Sequence, residues 1–254
     1  MPEGRDLARE GRNPVTQTSC FVVRDGVPVA AMAAPAFLAA ESDPLSGGRT
    51  WHVADEALGY GLGLATSEAC DLRVEAMPHT EFVAVWEGEI TLQAPDETVL
   101  KLHPGDCAVI PAGTPLRWVQ AGPAVRSFLV FADAADDGRR EVVLIDPASP
   151  LDPAPPPASD VLLTPPPNVV SRRVFSARSA RIRIGLWDST PYRRRSVTPA
   201  QAELMVLLSG AVTLTDPAGT GLRVAAREMV MVPAGATNAW TSDERVRKIF
   251  CIVG

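Results

Sequence analysis

One stretch of this chain occurs twice. Residues 81–118 return, shifted by 122 positions, as residues 203–240, with no gap in 38 positions and eleven identities. Five of the identities fall in turns at matched spacing: Gly88/Gly210, Pro95/Pro217, and Pro111-Ala112-Gly113 against Pro233-Ala234-Gly235. A duplicated unit must take one fold twice, so the repeat constrains the architecture more than any composition figure. Within each copy, runs rich in Val, Leu, Ile and Thr alternate with turn signals every six to twelve residues. No long helical period intervenes. This is the pattern of an all-β barrel or sandwich.

Around the repeat the chain divides into four parts. Residues 1–48 form a polar tail and an extension, with a possible hairpin over 18–30 around Asp25-Gly26 and a short Ala-rich helix over 31–42. Residues 49–146 form the first barrel, with strands expected over 60–65 and 69–75 ahead of the repeat. Residues 147–168 are the linker. Nine prolines fall between Pro147 and Pro167, which excludes a central strand and favours extended backbone. Residues 169–254 form the second barrel.

The net charge of −6 argues against a general nucleic-acid binder. Basic charge is nearly all Arg, with local clusters at Arg172-Arg173 and Arg193-Arg194-Arg195. These read as a solvated strand face or, alternatively, an anion site. The four cysteines, Cys20, Cys70, Cys107 and Cys251, show no paired spacing, which points to free thiols in a reducing compartment. The N-terminal residues lack a signal-peptide apolar core, and no apolar run is long enough to span a bilayer. The expectation is a cytoplasmic protein without membrane or nucleic-acid partners.

The segment HPGDCAVIPAG resembles the second motif of the cupin superfamily: Gly-Asp, a four-residue strand, then Pro-x-Gly. The first cupin motif ends in a Glu followed by six residues and a Gly, as at Glu81/Gly88 and Glu203/Gly210. In the second copy Arg227-Glu228 replaces the Gly-Asp. Both motifs otherwise occur in both halves, so the chain resembles a bicupin. It is most similar to the small ethanolamine-utilisation-type cupins, which share a Trp five residues after the Pro-x-Gly turn and an ending like ERVRKIFCI. The resemblance implies two tandem double-stranded β-helix (jelly-roll) barrels and a homodimer.

Cupin metal enzymes hold Mn, Fe, Ni or Zn with two His and a Glu from motif one and a His from motif two. At the corresponding positions the first copy has Glu75, Met77, Glu81 and Leu116; the second has Val197, Pro199, Glu203 and Asn238. All the expected His are replaced. Transition metals require three or four suitable donors, so the expectation is no cofactor. If the first barrel holds a divalent metal, strand parity makes Glu75, His79 and Glu81 its donor set.

The same parity argument supplies the other candidates. Glu81, His79 and Glu203 are candidates for acid–base chemistry, with His79 as a possible buried partner of Glu81. Trp118 and Trp240 are either core or pocket walls. In the second barrel, Trp187, Gln201, Asn238, Trp240, Arg183 and Lys248 join Glu203 as a mixed lining suited to a small polar ligand. Asp106 and Glu228 are expected to cap turn N–H groups, and His52 and His103 to have a surface or interface role. Three functions are consistent with these residues. One is a metal-independent bicupin binding a small polar metabolite, as sensor, accessory protein or non-metal lyase or isomerase. A second is a metal enzyme with the architecture of ureidoglycine aminohydrolase. A third is a pair of degenerate barrels kept for assembly.

Overall fold

The structure is a computed structural model that describes residues 19–23, 34–36 and 43–254. The expected turn at Asp25-Gly26 and most of the expected helix over 31–42 lie outside the described residues. The rest is all-β, with no helix among the described residues. An N-terminal strand, β1 (Phe21–Val23), precedes the first barrel. That barrel comprises β2 (Arg49–Asp55), β3 (Tyr60–Ser67), β4 (Cys70–Val74), β5 (Thr80–Glu87), β6 (Ile90–Gln93), β7 (Val99–Leu102), β8 (Cys107–Ile110), β9 (Leu116–Gln120) and β10 (Ala124–Phe131). β11 (Val143–Leu144) closes the first-barrel segment, and the linker carries β12 (Asp152–Ala154). The second barrel comprises β13 (Val169–Ala177), β14 (Ile182–Ser189), β15 (Tyr192–Val197), β16 (Ala202–Ser209), β17 (Ala211–Thr215), β18 (Gly221–Ala225), β19 (Met229–Val232), β20 (Asn238–Ser242) and β21 (Val246–Val253).

Each barrel is a jelly roll of two antiparallel sheets. In the first, the sheet β11-β8-β5-β10-β3-β2 faces β4-β9-β6-β7; in the second, β1-β19-β16-β21-β14-β13-β12 faces β15-β20-β17-β18. The 122-residue offset extends beyond the visible repeat. It carries β3 onto β14 end for end, and β2 and β4 onto the bodies of β13 and β15. Gly63 and Gly185 show why the structure survives where the sequence has drifted. A Cβ on either would lie 2.2 Å from a backbone oxygen of the neighbouring strand, and 2.7 Å from the Phe128 ring or 2.8 Å from the Phe250 ring.

The two ends of the chain segment flanking barrel one are used differently. β11 extends the edge of its own barrel beside β8, whereas β1 crosses to the other barrel and pairs with β19, Phe21 opposite Met231. The Pro-rich β12 adds to the outer edge beside β13, where the missing proline N–H of Pro153 is tolerated.

The large sheets also pack against each other. Along β5, Val83 and Val85 point into the first barrel, while Phe82 and Ala84 point to a core shared by both barrels. Along β16, Met205 and Leu207 point inward, and Leu204 and Val206 to the shared core. Strands buried on both faces read as unbroken apolar runs, which is why FVAVW and LMVLL lack alternation. At the rim of this interface Arg178 Nη2 donates to Asp133 Oδ2 at 2.6 Å, and Nη1 to the Leu58 carbonyl at 2.8 Å. No helix of the described residues is long and apolar enough to cross a membrane.

Candidate functional site

The duplicated fold presents the same position twice, at Glu81 and Glu203, and the surroundings differ. Glu81 is fully buried in the first barrel. Arg49 Nη2 donates to its Oε2 at 2.6 Å, and Arg126 Nε lies 3.5 Å from Oε1. His79 Nε2 is 3.5 Å from Oε2, and Asp43 lies 3.3 Å from Arg49 on the far side. Each guanidinium also covers an aromatic face: Arg49 stands 4.3 Å above Phe128, and Arg126 4.9 Å above Trp118. Burial alone would raise the Glu81 pKa. The guanidinium of Arg49, then His79 and Arg126, outweigh it and hold the carboxyl well below the usual carboxylate range. Burial pushes Arg126 down from the ordinary arginine value. The first interior is therefore filled by its own ion network.

Several sequence expectations change here. Glu75 does not share a face with Glu81. β4 ends at Val74 and the chain bends through residues 75–79, so strand parity does not carry across. Glu75 points outward, 81% exposed, and pairs with Arg73 at 2.8 Å. Trp118 is sealed in the core, its Nε1 donating to Gln120 Oε1 at 2.7 Å, and it walls no ligand space. His52 is buried rather than at the surface, and its ring nitrogens have no partner among the described residues. His103 is exposed as expected. Asp106 accepts from the His103 N–H, and Glu228 from the Ala225 N–H.

In the second barrel Glu203 is 29% exposed, against 0% for Glu81. Position by position across the 122-residue offset, Lys248 replaces Arg126, Phe250 matches Phe128, and Ser171 replaces Arg49. Lys248 Nζ donates to Glu203 Oε1 at 2.7 Å and sits 4.9 Å from the Trp187 ring and 5.2 Å from the Trp240 ring. Trp187 and Trp240 meet edge-on at 6.0 Å, and Tyr192 stacks on Trp240 at 5.6 Å. Nothing replaces the second guanidinium. Where Arg49 fills the first barrel, Ser171 leaves space.

That space opens as two cavities meeting at Glu203, Arg194 and Trp240. One, of about 610 Å³, reaches Gln201, Asn238 and Gly254. The other, of about 810 Å³, reaches Ser171, Arg183, Trp187 and Lys248, and is roofed by Pro155, Pro156 and Pro157 of the linker. Asn238, at the place of a motif-two ligand, holds an arginine. Its carbonyl and Oδ1 accept from Arg194 at 2.6 and 2.8 Å, while its own Nδ2 donates to the Ala236 carbonyl. Arg183 donates to Gln201 Oε1 at 3.0 Å, and Gln201 in turn donates to the Gly254 carbonyl.

The structure thus brings together Trp187, Gln201, Glu203, Asn238, Trp240, Arg183 and Lys248. Glu81 and His79 lie in the other barrel. Sequence reasoning did not place Tyr192 or Arg194 in the lining, naming Arg194 only within the Arg193-Arg194-Arg195 cluster as a solvated face or an anion site, and it missed Ser171. Alternation along YRRRSV would have found the first two: Tyr192 and Arg194 face inward, while Arg193 faces outward and pairs with Asp243. Ser171 could be found by extending the offset upstream of the repeat.

Neither donor set suits a divalent transition metal. The Glu81 carboxylate already faces two guanidinium cations, with Met77 and Leu116 at ligand positions. The Glu203 carboxylate carries an ammonium, and Asn238 Oδ1 is occupied by Arg194. Among the described residues, no group of three His, Cys, Asp or Glu is placed to hold a metal.

Residues 176–250 match the EutQ-like cupin domain, and residues 75–131 match the cupin domain. A solved protein of unknown function from Pseudomonas syringae pv. tomato, of the DUF861 family, is 30% identical to the chain. The match covers 93% of this chain and 100% of that one, with a TM-score of 0.83. Two others share the fold. A cupin 2 conserved barrel domain protein from Leptotrichia buccalis is 10% identical over 81% of this chain and 88% of its own, with a TM-score of 0.58. The protein Ylba from E. coli is 12% identical over 96% and 95%, with a TM-score of 0.54. No curated protein matches the sequence.

Proposed function

The chain belongs to the cupin superfamily as a bicupin, and we propose that its second barrel binds a small polar metabolite without a metal while the first serves as a closed scaffold. One observation carries this reading. The first barrel fills its interior with Arg49, stacked on Phe128 and bonded to Glu81, whereas the second keeps the Phe and the Glu and replaces the Arg with Ser171. The vacated space is bordered by Glu203, Lys248 and four aromatic rings, a lining that combines apolar area with a few oriented polar groups. The Glu203–Lys248 pair can also hold or pass a proton at the carboxylate, the chemistry required of a non-metal lyase or isomerase.

Thermal shift against a metabolite panel tests the reading. A ligand present at about 100 times its Kd adds about 2.7 kcal/mol of stability. Ser171→Arg rebuilds the filling of the first barrel in the second; it is expected to abolish the shift while leaving the unliganded protein folded. Stoichiometric Mn, Fe, Ni or Zn in protein purified without chelator or His-tag, lost on Glu203→Gln, would overturn the metal-free reading.

A further inference from the structure

We propose that the ligand of the second barrel is a small carboxylate, bound by Arg183 and Arg194 beside the Trp187, Tyr192 and Trp240 rings. This rests on the reading of that barrel as a binding site and specifies its ligand. The starting point is charge. The larger cavity is lined by Arg173, Arg183, Arg194 and Lys248 against a single acid, Glu203. Lys248 is neutralised by Glu203 at 2.7 Å. The remaining cations give the cavity a positive excess, although the chain as a whole carries −6.

The partners of Arg183 and Arg194 sharpen the point. Arg183 donates to Gln201 Oε1, and Arg194 to the Asn238 carbonyl, the Asn238 Oδ1 and the Arg195 carbonyl. All are neutral acceptors. Several other half-buried and exposed arginines of this acidic chain meet carboxylates, among them Arg178 with Asp133, Arg245 with Asp188, and Arg193 with Asp243. Arg193 and Arg194 are adjacent in sequence. The one facing solvent is ion-paired with Asp243; the one facing the cavity is oriented by an amide and makes no close ion pair among the described residues, with Glu203 acting on it at longer range. A half-buried guanidinium fixed by neutral acceptors retains its charge and free N–H groups, the condition under which it takes a carboxylate in a charge-assisted pair.

The first barrel supplies the contrast. At the positions of Arg183 and Arg194 it has Gly61 and Leu72, and the space around its Glu81 is taken by Arg49 and Arg126, while its own cavity of about 770 Å³ lies at Leu92, Leu116 and Val142. Both cavity arginines therefore occur in the barrel whose Glu faces open space. The rings of Trp187, Tyr192 and Trp240 then contact the apolar body of the acid. A carboxylate is favoured over a phosphate because the ligand also approaches Glu203, and a dianion would be repelled more strongly there.

The test uses matched acids and amides, which differ in charge but hardly in shape: benzoate with benzamide, indole-3-acetate with indole-3-acetamide, and butyrate with butyramide. Full-length protein is followed by thermal shift and by tryptophan fluorescence, with phenyl phosphate as a further arm. The expected result is that at least one acid raises Tm and its amide does not. Arg183→Gln and Arg194→Gln should each weaken that acid about ten- to a hundredfold, the loss of one charge-assisted hydrogen bond. Because Arg194 also secures Asn238, circular dichroism checks the fold of that variant, and Arg183→Gln serves as the second. Amides that bind as well as acids, or phenyl phosphate that binds where benzoate does not, overturn the carboxylate and leave the binding reading standing. No shift by any of these compounds or by the wider metabolite panel overturns both.

Discussion

Glu81 and Glu203 are the same residue of a duplicated unit, and their neighbours give them different work. Glu81 is enclosed with Arg49 and Arg126, so removing its charge leaves Arg126 buried without a paired carboxylate and Arg49 with Asp43 alone. Glu81→Gln is expected to destabilise the protein by about 3–5 kcal/mol, read by chemical denaturation. The pH dependence follows from the sign of the shift. The folded pKa of Glu81 lies below its unfolded value, so its stabilisation is complete above the unfolded pKa, about 4.3, and is lost as pH falls toward the folded pKa. The stability gap between wild type and Glu81→Gln should stay constant down to about pH 4.3 and narrow below it, and a gap independent of acid would remove Glu81 from the network. The Glu residues were legible from motif spacing. Of the neighbours of Glu81, His79 was legible from its spacing, whereas Arg49 and Arg126 were not, because they lie 32 residues before and 45 after Glu81 and only barrel closure brings them together.

At the scale of elements, period-two alternation was reliable within a strand and failed across a bend. It placed Gln201, Asn238 and Trp240 correctly relative to Glu203 and misplaced Glu75, because residues 75–79 are not a strand. The 122-residue offset proved more informative than the visible repeat. Few side chains match between β3 and β14, yet both keep a Gly under a Phe ring and against a backbone carbonyl. Gly185→Ala puts a methyl 2.2 Å from the Arg172 carbonyl oxygen, with no flexible side chain to yield. It should cost about 1–3 kcal/mol in denaturant, the range for overpacking a closed site, and a neutral result would mean that β13 and β14 can separate there. The linker is likewise an element with a task. Its β12 extends a sheet, and its prolines roof the larger cavity.

At the scale of the molecule, the two barrels share a core. Leu62, Phe82 and Phe131 from one large sheet pool with Ile184, Leu204 and Ile249 from the other, and β1 ties the N-terminal region to the second barrel. Neither large sheet can lose its partner without exposing that surface. Calorimetry of the intact chain should therefore show one cooperative transition, and Leu204→Asp, an unpaired charge in the shared core, should lower it as a whole. Two separate transitions, with only one moved by Leu204→Asp, would show that the barrels are energetically independent. For the same reason, residues 169–254 expressed alone should aggregate, measured by light scattering.

The sequence by itself determined the all-β class, the duplication, the turns, and the presence of one Glu and one Trp at matched places in each copy, because these are local patterns of spacing and backbone conformation. Tertiary structure decided which Glu is enclosed and which faces open space. That difference goes with exchanges outside the visible repeat, Arg49 against Ser171 and Arg126 against Lys248, on strands that reach their Glu only when the sheet forms. It also decided that Arg194 turns inward beside Asn238 while Arg193 turns to solvent. Spacing can place a charge on a strand, but only the assembled barrel gives that charge a partner or leaves it facing an open cavity.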